Sequence, residues 1–159
     1  MFPGCVEERV DRLRPEQRSD LMRSVRQKGT TPELIVRKTL HRIGYRFRLN
    51  RSDLPGRPDI VLPRYRTCIF VHGCFWHRHS DCRYATMPKA RTEWWQEKFR
   101  ANEERDRRKA RELAALGWDV VVIWECETKD MFTLLTILRQ VSHRFHPVSA
   151  SRGETFRIA

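Results

Sequence analysis

Asp59-Ile60-Val61-Leu62-Pro63-Arg64-Tyr65-Arg66-Thr67-Cys68-Ile69-Phe70-Val71-His72 reads as two short apolar runs around a four-residue polar loop. Both runs have strand length, and Pro63 to Arg66 is long enough to reverse the chain, so an antiparallel hairpin is expected. Pairing that is symmetric about the loop sets Asp59 opposite Phe70, within a residue or two of Val71 and His72. A carboxylate and an imidazole are then expected at one end of the hairpin.

Upstream of the hairpin, Thr31, Pro32 and Glu33 read as an N-cap, a first-turn proline and an acid at the positive end of a helix. Val36, Leu40 and Ile43 recur at helical spacing behind them, and Gly44 stops the helix. Tyr45, Phe47 and Leu49 alternate with Arg46 and Arg48 as a half-buried strand, which the turn Leu54-Pro55-Gly56-Arg57-Pro58 breaks. Downstream, Thr92 is placed to cap a long helix ending near Leu116, with Gly117 as its stop. The inward stripe of this helix is Trp95, Phe99, Asn102, Asp106, Ala110 and Leu113. Val120 to Trp124 has the continuous apolar text of a central strand, and Met131 to Val141 a closing helix. Helix, three strands, long helix, strand and helix imply α/β layers built on a mixed β-sheet flanked by helices.

A length of 159 residues with 40% apolar content suits one domain, expected over 18–142, with a polar arm over 1–17 and a tail over 143–159. Lys and Arg total 32 against 20 acids, a formal charge of +12. Residues 1–66 hold sixteen of those bases with eight acids, so the N-terminal part is the expected face for a polyanion. No apolar run is long enough to span a membrane, and Met1 to Glu8 has no secretory signal core, so a soluble intracellular protein is expected. Five cysteines without such a signal point to thiolate ligands rather than a disulfide framework.

Between His72 and Cys82 lie three of the six histidines and two of the five cysteines. Cys74, His79 and Cys82 with the distant Cys126 make a Cys₃His set suited to tetrahedral zinc. A site with four protein ligands is closed and therefore structural. His72 and His77 are left over, and an imidazole near neutral pKa can take a proton from water or position one. Asp59, arriving at the same end of the hairpin, offers the hard oxygen that Mg²⁺ prefers. These residues sketch a hydrolytic metal site; the plainer reading is solvated groups beside a zinc loop. Asp106 either accepts the second ring N–H of a histidine or pairs with one of the many arginines. Phe75 and Trp76, inside the ligand loop, are candidates to part a base step, whereas Trp95 with Phe99 fits the core equally well. His41, His143 and His146 stand alone and receive no role.

At these residues the sequence resembles the very-short-patch repair (Vsr) endonucleases, a branch of the restriction-endonuclease-like nucleases. The matching text is Leu54-Pro55-Gly56-Arg57-Pro58-Asp59, Val71-His72-Gly73-Cys74-Phe75-Trp76-His77, Asn102-Glu103-Glu104-Arg105-Asp106-Arg107, Gly117-Trp118 and Trp124-Glu125-Cys126, spread over roughly residues 18–128. The resemblance implies Mg²⁺-dependent nicking of one strand of a DNA duplex at T·G mispairs left by deamination of 5-methylcytosine. It implies that Asp59 and the backbone carbonyl of Val71 bind Mg²⁺, and that His72 and Glu33 hold its waters. By the same resemblance His77 and Asp106 serve the chemistry, Cys74, His79, Cys82 and Cys126 hold zinc, and Phe75, Trp76 and Trp95 wedge into DNA. Family members often carry Thr where this chain has Val71, a change that a backbone ligand tolerates. His72 stands near the place of the lysine usual in the wider superfamily. A monomer in the bacterial cytoplasm, at the nucleoid, is expected, with a MutL-type mismatch-repair protein as an accessory partner. Two rivals fit part of the text: a sequence-specific restriction endonuclease of the same fold, and a non-enzymatic zinc-stabilised DNA-binding module.

Overall fold

A computed structural model of the chain describes residues 28–143, together with Arg14 and Gln17. Within it, helix α1 (Thr31–Arg42) is followed by strands β1 (Arg48–Leu49), β2 (Ile60–Leu62) and β3 (Thr67–His72). A one-turn helix α2 (Cys74–His77), the long helix α3 (Thr92–Ala115), strand β4 (Asp119–Trp124) and helix α4 (Met131–His143) complete the order. The expected arm lies almost wholly outside the described residues and the tail does so after His143, which is still helical.

The strands form one mixed sheet in the order β1-β2-β3-β4, antiparallel up to β3 and parallel between β3 and β4. Hairpin register is as the symmetric loop dictates: Ile60 faces Ile69, Val61 faces Cys68 and Leu62 faces Thr67. Continued one step, it sets Asp59 opposite Phe70. Side chains alternate across the pleat, so β2, β3 and β4 each serve two cores. Ile60, Leu62, Ile69 and Ile123 pack with Val36 and Leu40 of α1 and Leu134, Leu138 and Val141 of α4. Val61 and Cys68 pack on the opposite side with Leu54 and Leu113 of α3. Truncating Ile69 or Leu138, each fully buried, to Ala costs about 2–5 kcal/mol through lost transfer energy and the cavity left behind.

Four details depart from the sequence expectation. The α1 cap is Thr30, not Thr31: its side chain accepts from the Glu33 N–H while Glu33 reaches back to the Thr30 backbone, a reciprocal capping box. Strand pairing of β1 covers only Arg48 and Leu49, because β2 is itself only three residues long; Leu49 is 42% exposed. Thr92 starts α3 without capping it, its hydroxyl instead donating to the Pro88 and Lys89 carbonyls. Among the described residues β4 is an edge strand, not a central one.

Helix α3 stops where expected. Gly117 adopts a φ of +74°, open to glycine at no steric cost, and Arg66 donates to the Leu116 and Gly117 carbonyls across the chain. The same guanidinium stands 5.1 Å from the Trp118 ring centre, tying the start of β3 to the end of α3.

Candidate active site and cysteine–histidine cluster

Strand β3 ends in His72, and Gly73 turns the chain into α2, which folds His77 back over the strand end. The two imidazoles stack with centroids 3.9 Å apart and planes 13° apart. His72 is buried, and loss of solvent, followed by the His77 charge, pushes it down to about 3. It is a neutral ring at physiological pH. His77 is half-buried and its Nδ1 lies 2.5 Å from Asp106 Oδ2, a short charge-assisted contact. Burial alone would raise the Asp106 carboxyl; the His77 hydrogen bond and charge bring it below its ordinary value. Of the two sequence readings of Asp106, the structure selects the histidine partner, with Lys109 Nζ 4.0 Å away at its other oxygen.

Asp59 precedes β2, and its Oδ2 accepts the Val71 N–H at 2.8 Å. Desolvation raises this carboxyl to about 6, against the lowering effect of that hydrogen bond; the charges of Glu33, Arg37 and His77 all reach it. The structure therefore brings Asp59, Val71, His72 and His77 to the outgoing end of β3. Glu33 is 3% exposed, and its carboxylate is already engaged by the Gly29 and Thr30 N–H groups and by Arg37 at 2.6 Å. It acts on Asp59 through its field.

Cys74, His79, Cys82 and Cys126 converge, with donor atoms all within 4.8 Å of one another. His79 Nε2 lies 3.4 Å from Cys74 Sγ and 3.5 Å from Cys126 Sγ. All four cysteines among the described residues, Cys68 included, are free thiols. Burial pushes the Cys74 thiol up to about 12 and Cys126 upward as well, so holding them as thiolates calls for a cation. The donor set and its closeness fit a metal ion. Trp124 joins this cluster to the imidazole pair: its ring stacks on His79 at 4.3 Å and meets His72 edge-on at 5.3 Å. After it, the Glu125 N–H donates to the His72 carbonyl at 2.8 Å, which sets the position of Cys126.

Phe75 and Trp76 are half-buried and meet edge-on. Trp95, 7% exposed, lies behind Phe75 at 5.4 Å, so it braces the pair from the core side while Trp94 stands 46% exposed. Asn102 has a function in this arrangement that its place on the inward stripe hinted at without naming. Its side-chain N–H donates to the Trp76 carbonyl at 2.9 Å, one helical turn from Asp106, so α3 grips α2 by backbone and by ring. A cleft of about 590 Å³ opens between α3 and the sheet, lined by His72, His77, Asp106, Lys109, Phe70 and Trp118 among others.

An imidazole held by a carboxylate and stacked on a neutral second imidazole is suited to general-base chemistry, and the donor atoms of His72, His77 and Asp106 lie within 4.8 Å of one another, close enough to hold a metal ion. A family model described as DNA mismatch endonuclease Vsr matches residues 10–84. The DNA mismatch endonuclease Vsr of Escherichia coli (strain K12) is 46% identical over 109 residues, which is 69% of each chain. The chain belongs to the Vsr family of DNA mismatch endonucleases. Other relatives are the type II nicking enzyme V.XorIIP of Xanthomonas oryzae pv. oryzae, 55% identical over 83% of this chain and 96% of the relative, and V.NmeAIP of Neisseria meningitidis, 44% identical over 76% and 86%. As a Vsr endonuclease the chain has DNA as its substrate, which sets aside the reading of a non-enzymatic binding module. No helix among the described residues of this Vsr protein is long and apolar enough to cross a membrane.

Proposed function

We propose that the chain nicks one strand of duplex DNA at T·G mispairs arising from 5-methylcytosine deamination, with Asp59 and the Val71 carbonyl holding Mg²⁺. The observation that carries this reading is His77, fixed by Asp106 and stacked on a neutral His72, at the strand end where Asp59 is pinned to Val71. Asp59 fits a hard cation: it is a half-buried carboxylate whose Oδ2 has a partner and whose affinity for a proton is raised. Bound there, Mg²⁺ supplies charge stabilisation at the phosphate and acidifies water.

The chain's own groups do the rest. With Nδ1–H donated to Asp106, the lone pair of His77 lies on Nε2, where it accepts a proton from the attacking water. The Asp106 charge stabilises the resulting imidazolium. His72, neutral at physiological pH, offers an imidazole to order water, and Glu33 biases the same hydration through its charge. Phe75, Trp76 and Trp95 part the base step as one block, Trp95 backing Phe75, at an unstacking cost of a few kcal/mol that is least beside a mispair.

Cys74, His79, Cys82 and Cys126 hold a structural Zn²⁺ in this reading, and the α/β layers are those of a restriction-endonuclease-like domain over 18–142. The protein acts as a monomer in the bacterial cytoplasm, at the nucleoid, and a MutL-type protein is an accessory partner. The test is purified protein with Mg²⁺ on T·G and fully paired duplexes, read on denaturing gels. One-strand nicking confined to the mispaired duplex supports the proposal. Equal cutting of both strands of the paired duplex would make the chain a restriction endonuclease instead.

A further inference from the structure

Gly56, in the turn that leads to Asp59, has a φ of +75°, and a β-carbon built there would stand 2.6 Å from Lys109 Cδ and 3.1 Å from Cγ. The glycine is thus needed twice, for the turn and for the stem of a lysine that lies directly across it. From that seat the Lys109 ammonium reaches Asp106 Oδ1 at 4.0 Å, while Oδ2 of the same carboxylate holds His77. The side chain is 27% exposed and lines the cleft with His72 and His77. Neighbouring bases on α3 differ: Arg107 and Arg108 are 56% and 66% exposed and pair outward with Glu103 and Glu112. Lys109 alone of these three touches both the turn before Asp59 and the acid that orients His77.

We propose that Lys109 is a positioning residue for the hydrolysis, its stem setting the spacing between the Gly56 turn and α3 and its ammonium holding Asp106 in the pose that serves His77. The inference rests on the reading of the His77–Asp106 pair given above. Its positive charge also favours the ionised Asp106, which that pair requires. A lysine whose only task was to neutralise a DNA phosphate would behave differently, and the two cases separate by experiment.

The experiment compares Lys109→Met, which keeps the stem and removes the charge, with Lys109→Arg, Asp106→Asn and the Lys109→Met/Asp106→Asn double variant. Single-turnover nicking of a T·G duplex, duplex affinity across a salt series and melting temperature are measured for each. Lys109→Met is expected to slow nicking roughly 10–100-fold, as outer-shell changes do, with affinity unchanged. Lys109→Arg is expected to recover most of that rate, and Lys109→Met to add little once Asp106 is Asn, because the two act as one unit. A normal nicking rate for Lys109→Met, or full additivity with Asp106→Asn, overturns the inference. So does weakened binding with a salt slope reduced by about one, which would make Lys109 a phosphate contact. Should Lys109→Met melt early, Lys109→Gln carries the same comparison. If Asp106→Asn itself nicks at the wild-type rate, the reading of the His77–Asp106 pair fails first; if it is slow while Lys109→Met is normal, only the Lys109 inference falls.

Discussion

The His72 and His77 rings lie face to face, 3.9 Å between centroids, with one ring buried and the other bound to Asp106. Two cations at that separation repel, and burial keeps His72 the neutral member of the pair. His77→Ala is expected to lower single-turnover nicking by about 10²–10⁴-fold while duplex affinity stays near that of the wild type. A wild-type rate would remove His77 from the chemistry.

Asp59 is held at a cost. Its folded carboxyl titrates near 6 rather than at the ordinary 3.8, so the folded state binds the proton more tightly than the unfolded state. The penalty is fully present above pH 6 and absent below about 3.8. Asp59→Asn is therefore expected to stabilise the cation-free protein at pH 7.5 by on the order of 2–3 kcal/mol. That gain should shrink to nothing near pH 3.8 and be reversed when Mg²⁺ stabilises the wild type alone. Urea melts with and without Mg²⁺ decide it, and an Asn variant less stable at pH 7.5 without the ion would contradict the account.

His72 acts in the opposite direction. Its folded value near 3 lies below the ordinary 6.5, so the unfolded chain takes up the proton first as pH falls. The stability this neutral ring confers is complete above about pH 6.5 and is lost progressively towards pH 3, partly offset by Asp59 between 6 and 3.8. His72→Phe is expected to flatten the loss of stability between pH 7 and pH 5 by more than about 1 kcal/mol. Parallel curves for the two proteins would mean that His72 titrates normally.

If the Cys74, His79, Cys82 and Cys126 cluster holds zinc as proposed, its removal should be felt at the imidazole pair, because Trp124 packs against both. Treatment with a strong chelator, or Cys126→Ser, is expected to release about one equivalent of zinc and remove up to ~10 kcal/mol of folding free energy, enough to unfold the domain. Metal analysis and tryptophan emission follow the two events together. A purified protein without zinc that melts cooperatively at the same temperature would rule out the structural role.

The hairpin was legible because strand length, loop length and alternation all pointed to one register, and that register delivers Asp59 to Val71. The Cys₃His set was legible because soft ligands are scarce and cluster only for a reason. Thr30 was hidden by the adjacent Thr31; only the Thr30–Glu33 spacing of a capping box separates them. β4 reads as central because helices cover both faces of the sheet, and burial of the faces does not reveal whether a strand has one neighbour or two. Lys109 against Gly56 was invisible, since each is locally explained, one as a solvated helix residue and the other as a turn glycine.

Parallel pairing of β3 and β4 sends His72 and Trp124 out at one end of the sheet, and leaves Pro63, Arg64 and Tyr65 at the other. Arg64 is exposed there. The molecule thus has a handle remote from its cutting edge, where a fluorophore or a surface tether would leave both ligand clusters undisturbed.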